Sequence, residues 1–409
     1  MNKVFLSLIF TTILLASCSD DSDNGPSIDN PETYSFERNG QSTVSFTGQT
    51  TRIQMAEELI SAMMDFSTSE ALQLEMYRNE TADGGDANPY SDPALNADNK
   101  NIKSKVAASR DFFFTNTSTS SIIKADFEEW ISGQVNKVFP NENTVAAPGI
   151  AGQIADGSST RFVNSKGLEY NQLVAKSLIG ALMADQMLNN YLGTAVLDEA
   201  DNRASNDSEL LEDGTNYTTM EHKWDEAYGY LYGTSADKTN PNASIGSDDS
   251  FLNKYIGRAE NDNDFAGIAN EIFEAFKLGR AAIVAGDYTI RDQQAQIIRE
   301  KISEVIAIRA VHYLQAGKNA LPDDRDNTAL YGSAFHGLSE GYGFIYSLQF
   351  TRQLGTDLPY FTHNEVNAML EKLMGDGDNG LWDVEPTTLD ELSEEIVAKF
   401  QFTIDQAAN

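Results

Sequence analysis

Apolar residues in this chain recur at steps of three and four, and that period constrains the fold more than any other feature. Ile53, Ala56, Leu59, Ile60, Met63 and Met64 begin it, and Leu173, Leu178, Ile179, Leu182 and Met183 repeat it in a long central run. Such a period produces helices with one apolar face. Helices are predicted at about 51–77, 102–114, 121–138, 168–192, 219–233, 249–257, 264–285, 292–317, 331–353, 363–374 and 388–406. The alternation of strands and helices that builds a parallel sheet is missing. The expected fold is therefore all-α with long loops. Residues 33–48 are the best β candidate, because Thr43-Val44-Ser45-Phe46 alternates between Gly40 and Gly48. Residues 149–162 and the acidic stretch 198–215 read as loops.

The N-terminus carries an address. Lys3 precedes an apolar run from Val4 to Ala16, which is too short to span a bilayer but suits a signal peptide. The run ends in Leu15-Ala16-Ser17-Cys18, which resembles a bacterial lipobox, and Cys18 is the single cysteine of the chain. Residues 1–17 are thus expected to be a lipoprotein signal peptide, with cleavage before a lipidated Cys18. Residues 18–32 follow as an acidic tether, opening Ser19-Asp20-Asp21-Ser22-Asp23, which cannot pack a core. An acidic run directly after the lipidated cysteine resembles a surface-export signal. The expected location is the outer membrane, lipid-anchored and facing the cell surface, with a periplasm-facing placement as the alternative. The body would span 33–409, in halves of about 33–260 and 261–409 whose helices can interleave.

Charge removes several partners. The chain carries 29 Lys and Arg against 62 Asp and Glu, a net −33. That field repels nucleic-acid backbones and anionic lipid, so no nucleic-acid partner is expected. One cysteine excludes a disulfide framework and Cys-rich metal sites.

Two segments repeat each other. His222-Lys223-Trp224-Asp225-Glu226-Ala227-Tyr228-Gly229-Tyr230-Leu231-Tyr232 aligns with His336-Gly337-Leu338-Ser339-Glu340-Gly341-Tyr342-Gly343-Phe344-Ile345-Tyr346, matching in seven of eleven positions by identity or class. Two of only four histidines fall in it. On a helix His222, Glu226 and Gly229 share one face, and His336, Glu340 and Gly343 do the same. Tyr228 and Tyr342 occupy the adjacent stripe. Glycine inside a helix costs about 1 kcal/mol against alanine, so its recurrence points to close approach of a backbone or ligand. The repeat reads as an internal duplication with two pseudo-symmetric helical-bundle halves. If the twin helices face each other, His222, Glu226, His336 and Glu340 meet in one space, a donor set suited to Fe, Zn or Cu. Asp225, Gly229, Gly343, Tyr228 and Tyr342 would support it. The other reading makes each His–Glu pair a helix-packing hydrogen bond.

Lipobox, helical duplicated body and His–Glu motif together resemble the imelysin-like proteins, iron-regulated surface and periplasmic proteins once proposed to be peptidases. Tyr34-Ser35-Phe36 and Gly48-Gln49-Thr50-Thr51-Arg52-Ile53-Gln54-Met55 also resemble an outer-membrane lipoprotein family known only as a domain of unknown function. The resemblance implies two helical-bundle halves and a Gly-x-His-x-x-Glu signature. Here Met220 stands two before His222, Ser333 three before His336, and both glutamates come one residue late. Peptidase activity is not supported by these motifs, and no His-Glu-x-x-His pattern occurs.

Two function classes follow. The first is a non-enzymatic envelope lipoprotein that binds a metal ion or metal-bearing ligand for iron or metal uptake at the interface of the halves, with an outer-membrane transport partner. The second is a surface lipoprotein that binds glycan or protein, with structural His–Glu pairs. An enzyme comes third, since no nucleophile–base–orienter set is legible. Among the remaining features, His312 with Arg309 one turn before it suits an anion site, a buried ion pair or a solvated face. Thr362 caps a helix that His363 opens, and the Asp376–Gly380 segment reads as a turn.

Overall fold

The computed structural model describes residues 28–81 and 83–409. The expected signal peptide over residues 1–17, Cys18 and most of the expected tether lie outside the described residues. Helices dominate, as the period predicts, and two two-stranded antiparallel sheets accompany them. The helices of nine or more residues are α1 (Thr47–Ala62), α2 (Glu70–Arg78), α3 (Thr117–Gly133), α4 (Tyr170–Leu178), α5 (Thr219–Tyr232) and α6 (Leu252–Glu260). They continue with α7 (Ile268–Ala285), α8 (Tyr288–Ala320), α9 (Gly332–Ser347), α10 (His363–Met374) and α11 (Pro386–Val397).

α8 is the spine. Its 33 residues make a rod of roughly 50 Å. α7, α9 and α11 all lie along it, and α9 also packs on α4 and α10. α5 packs on α1 and α7. Local chemistry sets several boundaries. Thr218 and Glu221 form a capping box on α5, and Thr362 and Glu365 form another on α10. Gly286, at φ 71°, closes α7, and the adjacent Asp287 carboxylate accepts the amides of Thr289 and Ile290 to open α8.

The structure corrects several readings, among them the acidic stretch 198–215, which holds a short helix at Asn202–Asp207. Thr43–Phe46 is not a strand; the short hairpin lies just before it, as β1 (Glu37–Arg38) and β2 (Gln41–Ser42) around Asn39 and Gly40. Residues 149–162 are not a plain loop but contain a hairpin, β3 (Gly152–Asp156) with β4 (Ser159–Val163). Its Gly157-Ser158 turn, with Gly157 at φ 58°, is the local signal that was available. Residues 102–114 hold only a four-residue helix, Arg110–Phe113. The run 51–77 divides into α1 and α2.

The long helix expected over 168–192 is interrupted, and the cause is visible. After Leu178 the chain winds as a π-helix over Ile179–Ala184. The Ser347 hydroxyl, from α9, donates to the Lys176 carbonyl at 2.8 Å and accepts the Gly180 amide at 3.1 Å. Those two groups are the partners of an ordinary i to i+4 bond. The hydroxyl therefore inserts into the helix ladder and widens it. Gly180 admits it, since a Cβ there would lie 2.6 Å from the Ser347 Cα.

Beside this break sits Asp185, fully buried. One carboxylate oxygen accepts the amides of Ala108 and Ser109, each at 2.9 Å, and the other has no partner. Burial pushes the carboxyl up to about 7, against the pull of those hydrogen bonds. A folded-state pKa above the unfolded one means its stabilising contribution is present below about pH 4 and lost as pH rises through about 7. The melting temperature should therefore fall between about pH 5 and pH 8. Asp185→Asn should flatten that fall; an identical slope in wild type and variant would assign it to other groups.

Candidate functional site

The repeated motif occupies α5 and α9, and each copy is turned onto a different partner helix. In α5 the His222 Nδ1 lies 3.0 Å from the Ser45 carbonyl, so that nitrogen carries the proton and donates. Asp225 accepts the Ser45 amide at 3.1 Å. Glu226 accepts Gln49 Nε2 at 2.9 Å and pairs with Lys223 Nζ at 2.8 Å. Gly229 faces the same helix start, where a Cβ would meet the Phe46 Cβ at 2.4 Å.

The α9 copy repeats this joint on α4. His336 Nδ1 lies 3.0 Å from the Glu169 carboxylate. Ser339, at the place Asp225 holds, accepts the Glu169 amide at 3.0 Å. Glu340 pairs with Lys176 Nζ at 3.2 Å and accepts the Tyr255 hydroxyl at 3.2 Å. A Cβ on Gly343 would meet the Lys176 Cβ at 2.5 Å. Each motif thus clasps the first turns of a preceding helix. The histidine and the i+3 residue hold the residue at its start, the glutamate takes a donor about one turn in at Gln49 or two turns in at Lys176, and the glycine lets the backbones close.

The flanking tyrosines are core. Tyr228 stacks on Tyr34 at 3.6 Å between centroids and gives its hydroxyl to the Lys238 carbonyl. Tyr342 meets Trp130 edge-on at 6.2 Å. Asp225 belongs to a buried cluster with Arg280, Tyr34 and Ser45. No hydrogen bond, ion pair or ring contact joins the α5 motif to the α9 motif among the described residues. Within those residues no three His, Cys, Asp or Glu converge as a metal would require.

The chain matches a family described as a domain of unknown function (DUF4856) over residues 31–403. The chain belongs to that family. No curated protein and no solved structure matches it.

In this DUF4856 chain both motif carboxylates are tuned by internal cations. Burial raises Glu226, but Lys223 and His222 outweigh it and hold the carboxyl below the usual range. Burial likewise raises Glu340, and Lys176 with His336 outweighs it. A lysine ammonium thus lies beside each carboxylate, Lys223 at Glu226 and Lys176 at Glu340. Sequence reading missed the partners Ser45, Gln49, Glu169 and Lys176. Only Lys176 carried a signal, as a lone lysine inside Leu173-Val174-Ala175-Lys176-Ser177-Leu178, a run buried throughout.

A cleft of about 410 Å³ is lined by none of the motif residues. Phe112, Asp111, Asn116, Gln349, His363 and Asn364 line it. His363 opens α10 as expected, and its Nδ1 contacts Gln349 Oε1 at 2.7 Å.

Proposed function

We propose that this chain is a non-enzymatic lipoprotein of the cell envelope whose helical body binds a glycan or a partner protein, with the His–Glu pairs serving as helix clasps. One observation carries it: in both copies the histidine, the i+3 residue and the glutamate all find partners within their own joint, and each glutamate already faces a lysine. The Leu15–Cys18 lipobox and acidic tether support attachment to the outer membrane, facing the surface. The 410 Å³ cleft supports the glycan arm, because an aromatic wall beside amide and carboxylate groups suits sugar rings and hydroxyls. The equivalence of the two clasps supports descent by duplication and the imelysin-like relationship.

A specific observation favours a second reading, metal or metal-bearing ligand in iron uptake. Glu169 orients His336 through Nδ1, and Nε2 then faces Glu340 Oε2 at 3.9 Å; a carboxylate behind the imidazole is how ligating histidines are held. Thermal unfolding of the full-length chain with Fe, Zn or Cu decides between them. The clasp reading expects unchanged melting in all three metals, and a loss of about 1–3 kcal/mol in metal-free buffer for His336→Ala, which strips the buried Glu169 carboxylate of its partner. A metal-dependent gain that disappears in His222→Ala/His336→Ala would establish the second reading instead.

A further inference from the structure

Beside the α9 clasp, four cations crowd one ring. Tyr255 of α6 is fully buried. Lys176 Nζ lies 5.4 Å from its centroid, Lys254 Nζ 5.8 Å, Arg258 Cζ 5.7 Å and Arg309 Cζ 5.7 Å. Arg309 also stacks on Tyr313 at 4.8 Å. In a chain of net −33 this local surplus is unexpected. Two carboxylates act on it: Glu340, held by Lys176 and the Tyr255 hydroxyl, and Glu57, whose field reaches Lys254. From the C-terminal end, the backbones of Ala407 and Asn409 face His312, and burial followed by Arg309 keeps that imidazole neutral at physiological pH.

Arg309 decides what the cluster is for. It is only 5% exposed, and both Nε and Nη2 are buried with no hydrogen-bond partner. Those two nitrogens form one edge of the guanidinium, the side-on fork that matches a pair of oxygens on a carboxylate or phosphate. A buried guanidinium with that edge unsatisfied is costly unless something fills it. Ring contacts do not satisfy N–H donors pointing along the guanidinium plane. The neighbouring cations, graded from exposed Arg258 through half-buried Lys254 to buried Lys176, provide a path of rising positive potential inward.

We propose that the cluster of Lys254, Arg258, Arg309 and Lys176 around Tyr255 binds a phosphate-type oxyanion, held side-on by the Nε–Nη2 edge of Arg309. A dianion balances the surplus better than a monovalent carboxylate does. The inference stands independently of the metal question, since it uses none of the imidazoles as ligands.

Calorimetric titration of the full-length chain with inorganic phosphate at fixed ionic strength tests it, with acetate and glycerol phosphate titrated in parallel. Saturable single-site phosphate binding is expected. Arg309→Met should weaken it by about 10- to 100-fold, as loss of a charged hydrogen-bond pair does. The same variant should keep or raise its melting temperature in phosphate-free buffer, because methionine still covers the Tyr255 and Tyr313 rings and no hydrogen-bond partner of the Nε–Nη2 edge is lost. Arg258→Gln, at an exposed position, should weaken binding by about 2- to 5-fold with the fold intact. Tighter binding of glycerol phosphate than of phosphate assigns an esterified ligand, and the reverse assigns the free ion; both support the site. Acetate binding as tightly as phosphate overturns the phosphate class. Absence of phosphate heats, or affinity unchanged in both arginine variants, overturns the site.

Discussion

Replacing Arg280 with methionine is expected to lower the unfolding free energy by about 3–5 kcal/mol, because it leaves the buried Asp225 carboxylate without a cation and Glu221 with Arg38 alone. Arg280 of α7 is fully buried. Its Nε pairs with Asp225 and its Nη1 with Glu221, each at 3.1 Å, while Nη2 donates to the Thr43 hydroxyl at 3.0 Å. Asp225 also accepts the Tyr34 hydroxyl at 2.7 Å, and Glu221 accepts Arg38 at 3.0 Å. The guanidinium further covers the Phe36 ring at 4.8 Å. One side chain therefore fastens the segment from Tyr34 to Ser45 onto α5 and α7. Urea unfolding measures the loss as a lower midpoint at constant slope. Since the penalty comes from orphaned charge, adding Asp225→Leu and Glu221→Leu should restore part of the stability despite removing more contacts. A single-variant loss under about 1 kcal/mol would show that water or a shifted side chain compensates the carboxylates.

The second large effect concerns the motif glycines. Gly343→Ala should destabilise by about 1–3 kcal/mol, although alanine is the better helix former by about 1 kcal/mol. The added Cβ would sit 2.5 Å from the Lys176 Cβ and 3.2 Å from the Leu173 carbonyl, atoms fixed to the α4 backbone that cannot rotate away. Gly229→Ala meets the Phe46 Cβ at 2.4 Å and should behave alike. Gly341 is the internal control: on the same helix as Gly343, its Cβ would find nothing nearer than 3.5 Å. Gly341→Ala should be neutral or stabilising by up to about 1 kcal/mol. Equal responses at Gly341 and Gly343 would remove the argument that the motif glycines exist for backbone approach.

Much of the clasp was readable before any coordinates. The shared face of His222, Glu226 and Gly229, and that of His336, Glu340 and Gly343, follows from helix geometry, and the close approach at each glycine was foreseen. What each face meets was not. His222 reaches a backbone carbonyl at Ser45, and every residue has one of those. Glu226 takes Gln49 from a helix 177 positions away. His336 and Glu340 take Glu169 and Lys176 from a segment that reads as uninterrupted core. The Arg309–His312 spacing pointed more to a buried ion pair or a solvated face than to an anion site. The choice depended on whether a carboxylate lies opposite, and that is a fact of packing.

Helix formation responds to neighbours three and four residues along, so the all-α class and most helix positions were determined by the chain's own period. The capping boxes at Thr218 and Thr362 are equally local. Which helix covers which face depends on contacts between residues that are distant in the chain, and each such contact competes with many of similar energy. Tertiary structure alone therefore decided that α5 closes on α1 and α9 on α4. It also placed the Ser347 hydroxyl in the helix ladder at Gly180 and left the Nε–Nη2 edge of Arg309 buried without a protein acceptor.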